Sequence, residues 1–222
     1  MNGSTAILRV TGSGRDDGPG LPQTLVHHRR HRPGAAGGIG LWVFMGVASS
    51  LFSLFITAYV MRLAGNDASA VGMPWQLWLS SGALAAGSVT LQQAGAAARA
   101  AQAERARSLL LAGGACALLF LMVQGWAWQA LLGERVMLVG NPAGSFFYVL
   151  TTLHGLHVAG GLVAWGWTAR ATWREHDPRH TAWRIALCAR YWHFLLAVWL
   201  ALFASFVWIT PDVARTICGV TT

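Results

Sequence analysis

The chain has 222 residues, of which 55% are hydrophobic and only 11% charged. A water-soluble domain carries roughly a quarter charged residues, so this composition excludes an ordinary soluble protein. The charge is one-sided, with 16 basic residues (all Arg) against 8 acidic and a net of +8, but a mean hydropathy of +0.46 at a pI near 11.0 argues against the nucleic-acid binding that such basicity suggests in a soluble protein.

Residues 1–37 are polar and basic, with His27, His28, Arg29, Arg30, His31 and Arg32 followed by the breaker Pro33-Gly34. They hold no apolar core of the kind a signal peptide needs. They read as a disordered cytoplasmic tail. Five apolar stretches follow, at about Ile39 to Met61, Trp75 to Ala98, Leu109 to Leu132, Pro142 to Thr168 and Ile185 to Thr210. Each is long enough for the roughly 20 helical residues that cross a bilayer. The runs are continuous rather than alternating, which selects helices over a β-barrel. The second is the least apolar. It is rich in Gly, Ala and Ser and has Gln92 and Gln93 near its end, a composition suited to tight helix packing. The expected fold is all-α, a five-transmembrane-helix bundle over 38–211, with a short periplasmic tail at 212–222.

Sorting Arg by segment fixes the expected orientation. The tail, the loop between the second and third spans and the loop between the fourth and fifth together hold 13 Arg. The opposite side holds three: Arg62, Arg135 and Arg215. The positive-inside rule then puts the N-terminus in the cytoplasm and, after five spans, the C-terminus on the opposite side of the membrane. Several of the 12 Trp residues flank span ends, where indole rings favour the interface.

No acidic residue falls within the spans, so the polar inventory there is short: Gln92, Gln93, Gln124, His154, His157, His193 and hydroxyls. Ionisable groups in a bilayer are functional candidates. His154 and His157 are three apart and share a helix face. With His193 they are candidates to ligate a haem iron or another metal, or to hydrogen-bond between helices. Without a carboxylate the chain lacks the usual relay of a proton carrier, and no Ser lies in a G-x-S-x-G context. Cys116, Cys188 and Cys218 form no C-x-x-C pair. On residues alone, a b-type haem membrane anchor and a small-molecule carrier remain rivals to a packing role.

Residues 146–161 read FFYVLTTLHGLHVAGG and residues 190–199 read RYWHFLLAVW. With GLWVFMGVASSLFSLFITAY in the first span and FLMVQGWAW in the third, these strings resemble the cytochrome c oxidase subunit III family, that is, subunit III of haem-copper oxidases. The resemblance covers 39–210 and is closest to the five-helix bacterial form. It implies an accessory subunit with no catalysis of its own, binding neither haem nor copper, which stay in partner subunits. It also implies packing against subunit I beside subunit II in a hetero-oligomer, binding phospholipid and supporting proton uptake. His154, His157, His193, Gln124, Tyr191 and Trp192 then become structural, interhelical polar groups. The chain departs from the family pattern at Ala48 and Ala127, where many members carry Glu. No role of those carboxylates carries over, and His157 and His193 are expected to face Gln124 or an ordered water.

Overall fold

The computed structural model describes residues 35–65, 75–133, 142–174 and 178–219. They form five long helices and one short one: α1 (Ala35–Leu63), α2 (Gln76–Arg99), α3 (Ala103–Gly133), α4 (Pro142–Arg174), α5 (Pro178–Trp208) and α6 (Pro211–Cys218). The tail expected at 1–37 lies outside the described residues, apart from the three that open α1.

Proline placement explains much of this segmentation. Pro142, Pro178 and Pro211 each occupy the first helical position, and Pro33 and Pro74 stand two residues before α1 and α2. A proline at a helix start loses only an amide that has no partner there in any case. No proline interrupts a helix interior, so every long apolar run propagates unbroken.

Four helices, α1, α3, α4 and α5, are long and apolar enough to cross a membrane. The fifth, α2, has 24 residues, or roughly 36 Å at 1.5 Å per residue, which is sufficient length. Its Gly, Ala, Ser and Gln content leaves it below the same apolar standard. α2 is held by packing, chiefly on α3 and then on α5. Small residues permit this approach. A Cβ on Gly113 would stand 2.6 Å from Leu91, and one on Gly87 would stand 3.1 Å from Cys116. α4 closes the group against α5 and α3, and α1 lies over α4 and α5. The chain is therefore an all-α, multi-pass membrane protein.

The helices overrun the expected spans at one end. α3 starts at Ala103 rather than near Leu109, α4 continues to Arg174, and α5 starts at Pro178 rather than near Ile185. At 31, 33 and 31 residues, each is roughly 45–50 Å long against a hydrocarbon core of about 30 Å. The extra turns carry Arg105, Arg107, Arg170, Arg174, Arg179 and Arg184. Arg190, one of the 13 Arg counted on the cytoplasmic side, is on the body of α5, with its guanidinium 5.9 Å from the Trp42 ring of α1. That contact gives the cation an aromatic face while its long stem reaches toward the interface.

Candidate functional site

The centre of the bundle is built around His154 of α4. Three helices supply rings to it: Trp199 of α5 at 5.3 Å, Phe120 of α3 at 5.7 Å and Phe52 of α1 at 6.2 Å between centroids. Phe120 and Trp199 also meet edge-to-face at 5.2 Å. His154 is 0% exposed, and neither ring nitrogen has a hydrogen-bond partner among the described residues. A buried polar atom left unpaired costs about 1–3 kcal/mol.

His157 shares the face of His154, as the three-residue spacing requires, but its chemistry differs. Its Nδ1–H donates to the Leu153 carbonyl one turn back at 2.7 Å, which leaves Nε2 as the acceptor nitrogen. Phe44 and Phe52 of α1 pack on its ring at 5.9 and 5.3 Å. Ala48 lies one turn from each of these phenylalanines and is buried. The α1 face turned toward the two histidines is therefore Phe44, Ala48, Phe52, with no polar group on it.

His193 of α5 is placed elsewhere. Its Nδ1 shares a hydrogen bond with Ser88 Oγ of α2, and the residue is exposed on the chain surface. Of the two partners expected for His157 and His193, Gln124 or an ordered water, Gln124 is not bonded to either ring in this structure: His157 Nδ1–H is bonded within its own helix, and His193 reaches α2. Gln124 is buried on α3 with Oε1 unpartnered among the described residues. Tyr191 bridges α5 to α4, donating from OH to the His157 carbonyl at 3.0 Å. Trp192 is almost fully buried, one turn along α5 from the Cys188 thiol.

Three further interhelical bonds escaped the sequence reading. Trp199 Nε1 donates to Ser81 Oγ at 2.8 Å, joining α5 to α2. Trp165 Nε1 donates to the Leu110 carbonyl at 2.8 Å, joining α4 to α3. Arg107 of α3 donates to the Thr172 carbonyl at 3.3 Å, near the C-terminal end of α4, where a cation meets the negative pole of the helix. The available signal was Ser81 and Ser88, hydroxyls seven residues apart and so on one face of α2.

The three histidines engage different partners, and among the described residues no group of three or more His, Cys, Asp or Glu is placed to hold a metal ion. One cavity of about 560 Å³ opens between α1, α4 and α5, lined by Leu41, Phe44, Ala164, Trp167, Arg184 and Tyr191 among others. It is mostly apolar, with Arg184 contributing a cation.

Comparison with known proteins places this arrangement. A chain named "Probable cytochrome c oxidase subunit 3" from Mycobacterium leprae (strain TN) is 37% identical over 93 residues, covering 41% of this chain and 46% of the relative. Its counterpart in Nocardia farcinica (strain IFM 10152) is 33% identical over 90 residues, covering 40% and 44%. "Cytochrome c oxidase subunit 3" of Synechocystis sp. (strain ATCC 27184 / PCC 6803 / Kazusa) is 39% identical over 70 residues, covering 30% and 29%. The chain thus spans under half the length of these curated relatives. The family profile described as cytochrome c oxidase subunit III matches residues 38–210, from the first turn of α1 to the residue before α6. On that match the chain belongs to the cytochrome c oxidase subunit III family.

Proposed function

We propose that the chain is the accessory, non-redox subunit III of a bacterial haem-copper terminal oxidase of the cytochrome c type. It serves aerobic respiratory electron transport in the inner membrane and assembles there with subunits I and II. The observation that carries this reading is the extent of the family match, which takes in all five long helices. The chemistry of the spans supports it. The only acidic residue within α1–α5 is Glu104, in the first turn of α3, so the chain offers no buried carboxylate relay of its own. Haem and copper belong to the partner subunits. The histidines act as packing groups: His154 inside an aromatic cage, His157 bonded along its own helix, His193 bonded to α2.

The contribution of this chain is mechanical. Tyr191, Trp199, Trp165 and His193 tie helices together through single hydrogen bonds, each worth about 0.6 kcal/mol within a bilayer. The cavity between α1, α4 and α5 suits a phospholipid acyl chain, with Arg184 near the headgroup level. A firm bundle with bound lipid stabilises subunit I and sustains proton uptake at its surface.

The test is purification of the tagged chain from native membranes in mild detergent. The expected preparation contains the haem-bearing core subunit, and its Soret absorption disappears when the core is removed by harsher detergent. A chain that purifies alone, or keeps a Soret band once freed of partners, sinks this reading and favours a b-type haem anchor.

A further inference from the structure

The seam between α3 and α4 carries polar atoms that nothing among the described residues satisfies. Three contacts set its register: Trp165 on the Leu110 carbonyl, His154 against Phe120 at 5.7 Å, and Tyr148 against Trp128 at 6.1 Å. Gln124 lies one turn from Phe120 and one turn from Trp128, so it stands level with Thr151, between His154 and Tyr148. Along this line Gln124 Oε1, Trp128 Nε1, Tyr148 OH and both ring nitrogens of His154 are buried and unpartnered. Of the four helix pairs that close the ring α2, α3, α4 and α5, α3 and α4 make the sparest contact.

The inventory of these groups identifies what fits between them. Gln124 Oε1 accepts, Trp128 Nε1–H donates, Tyr148 OH does both, and a neutral His154 offers one donor and one acceptor. The set is mixed and contains no carboxylate, which disfavours a cation, and no Arg, which disfavours an anion. A small neutral molecule that both donates and accepts matches it. Buried waters make about three such bonds each and recur where polar groups face one another too far apart to pair.

We propose that the α3–α4 seam is a buried hydration site. Water molecules held there bridge Gln124, Trp128, Tyr148 and His154 and join the two helices between the level of His154 and the ends of α3 and α4 that carry Trp128 and Tyr148. The site contributes to cohesion and is separate from the lipid cavity, which lies between α1, α4 and α5.

The experiment is a cryo-electron microscopy map of the chain purified with its co-purifying subunits, at a resolution that shows waters elsewhere in the membrane interior. Compact density within hydrogen-bonding distance of Gln124 Oε1 and of at least one of Tyr148, Trp128 or His154 is expected. A Gln124→Leu variant is expected to lose the peak at residue 124. Three results overturn the proposal: no such density in a map that resolves interior waters elsewhere, direct pairing of the four side chains, or an extended density in the seam. Should the variant fail to assemble, the wild-type map decides alone. A dry seam in an assembled complex counts only against this site, whereas failure of the core subunits to co-purify counts only against the functional reading.

Discussion

Gly161 and Tyr191 act as one unit. A Cβ on Gly161 would stand 2.9 Å from Tyr191 Cε1, so the missing side chain is what lets the phenol approach α4 this closely. From there its OH reaches the His157 carbonyl. Tyr191→Phe removes only the hydrogen bond and is expected to cost about 0.6 kcal/mol. Gly161→Ala pushes the ring away, losing the bond and straining the packing, and is expected to cost about 1–3 kcal/mol. Thermal unfolding of the detergent-solubilised complex checks the order. The double variant should cost less than the two singles combined, because both remove the same bond. Equal effects of the two single substitutions would mean that the ring is free to shift. Both residues stood out in the sequence as parts of motifs. Their partnership did not, because the α4–α5 register depends on how two distant segments dock. His154 shows the same limit: its place on a helix face followed from spacing, whereas its enclosure by Phe52, Phe120 and Trp199 arises only once four helices meet.

Helix ends carry information that the apolar runs hide. α2 closes in a Schellman motif: the Gln102 N–H donates to the Ala97 carbonyl at 3.0 Å and the Ala101 N–H to the Ala98 carbonyl at 3.2 Å. That geometry puts Ala101 at φ 56°, a left-handed position that glycine normally fills. An L side chain there costs about 1–2 kcal/mol, part of which glycine returns as greater freedom of the unfolded chain. Ala101→Gly is therefore expected to raise stability by up to about 1 kcal/mol, read as a higher melting temperature with unchanged assembly. A lower one would show that Ala101 makes contacts glycine cannot replace. Four of the long helices are legible from hydropathy because each bears a continuous apolar run, and α2 is legible from its uncharged run of small residues. Their basic ends were not, because Arg-rich turns lower hydropathy without breaking a helix whose backbone bonds continue into water. α6 falls in the stretch expected as tail because eight amphipathic residues make no apolar run. Its signals were nevertheless present: Thr210 accepts from the Val213 N–H at 3.4 Å, Pro211 sits at the start, and Gly219 ends it at φ 68°. Gln124 and His193 were misplaced relative to each other because hydropathy cannot order helices around a bundle.

At the scale of the whole molecule, the excess of Arg becomes an expectation about sidedness that the cysteines can test. The long ends of α3, α4 and α5 gather Arg at one end of the bundle, and Cys218 lies on α6 at the other. Cys218 is exposed, Cys188 is buried, and Cys116 is half-buried within α3. A membrane-impermeant thiol reagent therefore has one readily reached target. If 13 Arg against three set the topology, the reagent modifies the chain in right-side-out vesicles. Inverted vesicles protect it until detergent is added. Cys218→Ser should abolish the signal in both. Modification only in inverted vesicles would reverse the proposed orientation. It would place the Arg-rich ends outside, where the charge bias that normally retains basic loops in the cytoplasm would have to be overridden by packing against the partner subunits.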